Sequence, residues 1–270
     1  MPKTPKPQIL LTNDDGIQSP GLWAAARALA AIGRVTVAAP AEQSSGMGRS
    51  LPSTSSGIIQ EQKLRVNRQE WIVYAVSGSP AQAVQHAVLE IMPKKPDLVV
   101  SGINYGENVG LGTTISGTVG AAMEAAALGI PAVAVSLEAA QQYHLSYSQE
   151  VDFSVAAHFA AFFARILLKK RMPQDVDLLK VDVPSDATPQ TKWVVTCVAR
   201  QGYYEPLRPL RTSWDVAAPL GYKEAAVLNG EDEGSDVVVL RKGRLVAVTP
   251  ISLDMTSRIE LADLEQHLRA

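Results

Sequence analysis

Between residues 9 and 135, short apolar runs alternate with helix-forming segments, and the runs break at turns bearing Gly, Pro, Ser or Asp. No other feature of the chain limits its fold so strongly. Ile9–Leu11 reads as a short buried strand. Ser19-Pro20 then opens a helix over Gly21–Ile32, a capping residue followed by proline, and Gly33 closes it. Val35–Ala38 is a second strand, stopped by Pro40, and Trp71–Val76 is another. Ser79-Pro80 repeats the helix start, and that helix runs to about Met92. Leu98–Val100 is a strand, and Ser116–Leu128 is a helix that Gly129 ends before Pro131 and the strand Ala132–Val135. Val151–Leu168 is a longer helix. Its residues Val155, Phe159, Phe162, Phe163 and Ile166 fall on one stripe, which makes the rings core and not a base-stacking platform. Leu178–Val183 is a further buried strand. Strand–helix alternation of this kind specifies a parallel sheet covered on both faces, an α/β, Rossmann-like, doubly wound and mostly parallel fold.

Beyond residue 185 the texture changes to strands separated by polar, Pro-containing loops. Lys192–Val198 reads as a strand. Asp236–Leu240 and Arg244–Val248, joined through Arg241-Lys242-Gly243, read as a hairpin. Leu261–Leu268 reads as a short terminal helix. The expected organisation is a core over 1–185 and a smaller C-terminal β-hairpin extension over 186–270, within one overall domain. A net charge of −2, from 25 basic and 27 acidic residues, argues against a nucleic-acid polymer or an anionic membrane as partner. The single cysteine, Cys197, cannot form an intrachain disulfide and reads as a small buried residue, which fits a reducing compartment. Residues 1–7 lack the apolar stretch of a secretory signal, and no apolar run is long enough to span a bilayer, so the expectation is a cytoplasmic protein.

Four segments downstream of strands carry chemistry: Asn13-Asp14-Asp15-Gly16, Glu42–Ser50, Ser101–Asn108 and Ser116–Gly120. In an open α/β sheet they share the carboxyl edge, where ligands bind. Asp14 and Asp15 are adjacent carboxylates, which resist ionising together unless a cation separates them. A hard divalent ion, Mg²⁺ or Mn²⁺, suits such oxygens; a solvated Asp-Asp-Gly turn is the alternative. Ser45 and Asn104 offer neutral oxygens, or are plain loop residues. Ser116-Gly117-Thr118 places hydroxyls and free N–H groups at a helix start, which favours an anion, or is an ordinary helix cap. Together they suggest a cation beside a phosphate cradle. The chain has no GxxxxGK[ST] loop, no GxGxxG after the first strand and no Gly-x-Ser-x-Gly, which excludes a P-loop NTPase and disfavours dinucleotide and α/β-hydrolase chemistry. His86, His144, His158 and His267 form no zinc spacing. Glu124 reads as a structural partner for a polar neighbour.

The chain resembles the SurE family, the stationary-phase survival proteins that act as 5′/3′-nucleotidases. The resemblance lies in Ile9-Leu10-Leu11-Thr12-Asn13-Asp14-Asp15-Gly16-Ile17, Val76–Ala81, Asp97–Asn104, Ser116–Glu124 and Gly129-Ile130-Pro131, with weaker echoes in Val181–Pro184 and Val248–Thr256. It departs from the family pattern at Ala41, at Arg49 and beyond Arg200-Gln201-Gly202, where Tyr203-Tyr204-Glu205-Pro206 follows. The resemblance implies a metal-dependent phosphomonoesterase acting on a nucleoside monophosphate, with one divalent metal ion (Mg or Mn) on Asp14, Asp15, Ser45 and Asn104. Asn13, Asn108, Ser116, Gly117 and Thr118 would line the phosphate pocket. Asp14 and Asp15 would be the catalytic pair, and a homodimer or homotetramer is implied through the C-terminal segment. Asp15 would orient or deprotonate the attacking water, and an aspartyl-phosphate route stays open. A non-hydrolytic nucleotide binder and a purely structural subunit are the competing expectations.

Overall fold

The computed structural model describes residues 5–66, 69–144, 146–200, 202–225 and 233–270. Met1–Thr4 of the Lys/Pro-rich start, Gln201 of the Arg-Gln-Gly segment and Ala226, where the family match fades, lie outside them. In chain order the main elements are β1 Gln8–Thr12, α1 Pro20–Ala30, β2 Arg34–Pro40, β3 Ile59–Val66, β4 Gln69–Val76, α2 Pro80–His86, β5 Leu98–Tyr105, α3 Gly117–Ala127, β6 Ala132–Leu137, α4 Ser154–Leu167, β7 Leu178–Val183, β8 Trp193–Val195, β9 Tyr204–Leu207, β10 Gly221–Glu224, α5 Asp236–Arg241, β11 Val246–Ile251 and α6 Leu261–Arg269.

Among the described residues one nine-stranded sheet runs β3-β4-β2-β1-β5-β6-β7-β11-β8. Its middle, β4 to β7, is wholly parallel, with β1 pairing β2 on one side and β5 on the other. The chain winds outward from β1 through β2 to β4, then returns to β5 and winds the other way. The switch point therefore falls between β1 and β5, and open α/β sheets form their binding crevice at such a place.

The pleat explains why the strands are apolar on both faces. Ile9 and Leu11 of β1 and Leu98 and Val100 of β5 pack with Leu22 and Leu29 of α1 and Phe159 and Phe163 of α4. The alternate residues, Leu10, Val99, Ala132 and Ala134, pack with Val84 and Val119 from α2 and α3. The aromatic stripe of α4 is core, as its spacing indicates. The helix starts differ in kind. Ser79 caps α2 through a complete capping box with Gln82, whereas the Ser19 side chain makes no capping bond to α1.

Three expectations change. The apolar run Val237-Val238-Val239-Leu240 is helical and not the first strand of a hairpin. Its β-branched residues favour a strand, but the Ser235 hydroxyl accepts from Val238 N at 3.4 Å and the buried Asp236 carboxylate from Val237 N at 2.9 Å, and burial decides the outcome. β11 follows, antiparallel to β7 and parallel to β8. The antiparallel pair of the C-terminal region is instead β9 with β10, which stands apart from the main sheet. Finally, Cys197 is exposed, because it lies just beyond β8 at the sheet's end, where Val194 and Val195 are exposed as well. No helix among the described residues is long and apolar enough to cross a membrane.

Candidate active site at the switch point

β1 ends in the turn that carries both aspartates. Its shape comes from Asn13, whose side-chain oxygen accepts from Gly16 N at 3.2 Å and whose Nδ2 donates to Gly16 O at 3.1 Å. Gly16 takes φ +94°, a conformation that side chains with a Cβ rarely adopt. The turn delivers Asp14 and Asp15 into the interior, 4% and 1% exposed.

Asp14 is firmly held. Thr118 Oγ1 donates to its Oδ1, and the backbone N–H groups of Gly117 and Thr118 face the carboxylate and favour its charged form. It thus occupies the N-terminus of α3, where the helix dipole favours negative charge. The approach is close enough to need glycine: a Cβ on Gly117 would lie 2.7 Å from Asp14 Cβ and 2.8 Å from Oδ2. The same Thr118 hydroxyl lies 3.3 Å from Asn104 Oδ1, so Asp14 and Asn104 present oxygens to one point. Asn104 is fixed in turn by Nδ2 bonds to the carbonyls of Tyr105 and Gly106, at 3.2 and 2.8 Å. Asp15 is held more loosely, accepting from Tyr105 N at 3.3 Å and from Gln43 Nε2 at 3.4 Å. Burial raises both carboxyls above the ordinary range. For Asp14 the Thr118 hydroxyl and the helix N–H groups oppose the rise; for Asp15 the charge of Asp14 adds to it.

The second loop reaches the same place. Ser44 N donates to Asp14 O at 2.7 Å, and Gly48 N to Ile115 O at 2.9 Å. Arg49 Nε meets Glu124 Oε2 at 2.8 Å, and Gln85 Nε2 bonds Glu124 Oε1 at 2.9 Å, so Glu124 is the structural partner its position suggested. Ser45 is exposed on this loop, one residue beyond the tie to Asp14. Ser116 caps α3 through Val119 N at 3.1 Å. Asn108 stands one step further along the edge. Its hydrogen bonds run to β6 and β7, from Nδ2 to Ser136 Oγ and from N to Asp182 Oδ1, both 2.8 Å.

The donor set suits a hard cation. Asp14, Asp15, Asn104 and Ser45 offer oxygen alone, and among the described ion pairs neither aspartate is matched to a basic side chain. With two carboxylates in the set, no group of three or more His, Cys, Asp or Glu side chains forms a metal site among the described residues. Neutral oxygens must complete any such site.

Several neighbours escaped the sequence reading. Gln43 Nε2 bonds His144 O at 2.8 Å as well as Asp15, and His144 Nδ1 meets Tyr222 Oη at 3.0 Å. The His144 ring stacks on Tyr222 and meets Tyr204 edge-on, which brings β9 and β10 to the site's rim. Glu107 is buried, accepts from Tyr203 Oη at 2.7 Å, and is raised by burial to about 7. No spacing rule pairs Gln43 with residue 144. The only available signal was that Gln43, Glu107 and His144 lie in loops that leave β2, β5 and β6 at one sheet edge; Tyr203, Tyr204 and Tyr222 lie in or beside β9 and β10, beyond β8, which runs opposite to those strands.

An open, mostly parallel sheet with paired acidic groups at its switch point defines an α/β protein with an oxygen-rich, cation-suited crevice. The family model for Survival protein SurE matches residues 9–205. The chain belongs to that family. It is 38% identical to 5′-nucleotidase SurE of Methanocella arvoryzae, over 97% of this chain and 98% of that protein. It is 41% identical to 5′-nucleotidase SurE of Thermococcus gammatolerans, over 97% of this chain and 96% of that protein. The crystal structure of the SurE protein from Aquifex aeolicus superposes with a TM-score of 0.74 at 31% identity, covering 98% of this chain and 100% of that one.

Proposed function

We propose that this protein is a metal-dependent phosphomonoesterase that hydrolyses nucleoside 5′- and 3′-monophosphates. One observation carries the reading: two adjacent buried carboxylates stand at the switch point with no basic partner among the described residues, and the Thr118 hydroxyl links one of them, Asp14, to Asn104. The relatives named 5′-nucleotidase SurE support the choice of ester. Asp14, Asp15, Ser45 and Asn104 would hold one Mg²⁺ or Mn²⁺, which supplies charge neutralisation at the phosphoryl group and lowers the pKa of bound water.

The residues divide the remaining tasks. Asp14, pinned by Thr118 and the α3 terminus, is the fixed anchor. Asp15, loosely bonded and raised by burial and by Asp14, is the better proton acceptor and orients the attacking water. Asn13, Asn108, Ser116, Gly117 and Thr118 are assigned to the phosphate pocket. Gly117 and Thr118 N–H face Asp14 and favour its charge, which leaves the hydroxyl of Ser116 and the amide of Asn108 the larger share in binding phosphate. A homodimer or homotetramer is supported by the exposed apolar arm between β9 and β10, where Leu210 and Trp214 are 94% and 92% exposed.

Phosphate release from AMP, 3′-AMP, GMP and a chromogenic monoester, with EDTA, Mg²⁺ or Mn²⁺, tests the reading. Turnover should require a divalent ion and fall at least about 100-fold in Asp14→Asn. Saturable AMP binding without phosphate release under every metal condition would leave a nucleotide-binding protein instead.

A further inference from the structure

Lys180 is the largest fully buried side chain described in the molecule. It lies on β7 with both acidic partners equally buried, Nζ being 2.5 Å from Asp182 Oδ2 and 3.0 Å from Asp236 Oδ2. Withdrawing three charges from water costs several kcal/mol per ion, and well-packed apolar residues at such sites often serve stability as well or better. Stability is therefore a weak account of the triad. The remaining oxygens show a more specific role. Asp182 Oδ1 accepts from Asn108 N at 2.8 Å. Asp236 accepts from Gly110 N at 3.1 Å and from Ala199 N at 3.0 Å. The triad's outer hydrogen bonds thus run in part to the backbone of residues 108–110, from Asp182 and from Asp236, while Asp236 also accepts from Ala199 N and Val237 N and brings α5 into the same cluster.

Asn108 is held from three sides. Its N–H goes to Asp182, its Nδ2 to Ser136 Oγ, and its carbonyl accepts from Thr113 Oγ1 at 3.0 Å. Ser136 and Asp182 are register partners across β6 and β7, so a shift of the Asp182 carboxylate moves one edge of a shared frame.

We propose that Lys180 is a positioning residue. By gripping Asp182 and Asp236 together, it fixes residues 108–110 and so aims the Asn108 amide at the substrate's phosphate. This rests on the assignment of Asn108 to the phosphate pocket. It also makes the phosphate pocket depend on docking of the C-terminal segment, since Asp236 opens α5.

The test compares Lys180→Met, Asp236→Asn, Asn108→Ala and the double variant Lys180→Met/Asn108→Ala. The measurements are KM and kcat for AMP, inhibition by inorganic phosphate, Mn²⁺ affinity by titration, and amide exchange at Asn108 and Gly110. Lys180→Met should raise KM and the phosphate inhibition constant about tenfold and speed exchange at both amides. Mn²⁺ affinity should stay within about twofold, because its binding residues sit in the turn after β1, on β5 and in the loop after β2. Adding Lys180→Met to Asn108→Ala should weaken phosphate no further. Additive losses overturn the proposal, as does native phosphate affinity in a folded Lys180 variant. Should Lys180→Met fail to fold, Asp236→Asn, which keeps an acceptor for Ala199 N, carries the same comparisons with Asn108→Ala. Native phosphate affinity in Asn108→Ala alone removes the pocket assignment, and this proposal with it.

Discussion

Asp14 and Asp15 are neighbours in the chain but differ in surroundings. Asp14 draws on a hydroxyl and a helix terminus; Asp15 has two long hydrogen bonds and the repulsion of its neighbour. The Asp15 carboxyl is raised in the fold, so its ionised form opposes folding once the pH exceeds the ordinary carboxylate pKa. Asp15→Asn removes that penalty. In EDTA at neutral pH the variant should gain about 1–2 kcal/mol in denaturant unfolding while losing turnover by about 100-fold or more. Reduced stability in EDTA would show that the carboxylate is already compensated without a metal. Gly117→Ala tests the closeness of α3. The new methyl must displace the Asp14 carboxylate, so kcat/KM and Mn²⁺ affinity should both fall by about tenfold or more, measured by turnover and titration.

At the level of elements, β6 and β7 are tied to the C-terminal segment through Glu138. This carboxylate follows β6 and takes Arg244 Nη1 at 2.9 Å and Nη2 at 2.7 Å, with Ser185 N at 2.8 Å. Burial alone would raise it, but the Arg244 and Ser185 bonds prevail and hold its pKa at about 2, against an ordinary 4.5. A lowered carboxyl pKa gives stability that is present above 4.5 and disappears as the pH falls toward 2. Glu138→Gln should therefore lose about 1–2 kcal/mol at neutral pH, after discounting for solvent screening, and flatten the acid limb of the unfolding profile. Elements were legible in the sequence where one periodicity dominated. β7 matches its expected bounds, and β1, β6, α3 and α4 lie within a few residues of theirs, because each is an apolar run bounded by Gly, Pro or polar caps. β5 extends to Tyr105 because it keeps pairing with β6 past a bulge at Gly102, where φ is +133° and a Cβ would meet Val135 O at 2.3 Å. α5 was misread because most of its context is tertiary: besides the adjacent Val237 N, the partners of Asp236 are Lys180, Gly110 and Ala199, and no local pattern indicates those three. The acidic turn and the opening of α3 were legible for the opposite reason, since each is a short local motif at a strand end or helix start. Thr118 bridging Asp14 to Asn104 was not, because it depends on how closely α3 meets β1.

For the whole molecule, the doubly wound core sets the crevice and the C-terminal residues furnish its rim. Tyr204 and Tyr222 reach the site from β9 and β10, while the arm between those strands projects its apolar residues outward. A second copy of the chain is the expected cover. Leu210→Asp with Trp214→Asp should shift light scattering from an oligomeric mass toward the 28.9 kDa of one chain. An unchanged mass would place the contact elsewhere. The order of the sheet has a further consequence. Among the described residues β8 joins the main sheet only through β11, which appears near the end of the sequence. During synthesis, β8 emerges well before β11, and until β11 is made β8 has no partner in the main sheet. The emerging polypeptide therefore carries an unpaired strand edge until its last strand is made, and chaperone demand should concentrate on that interval.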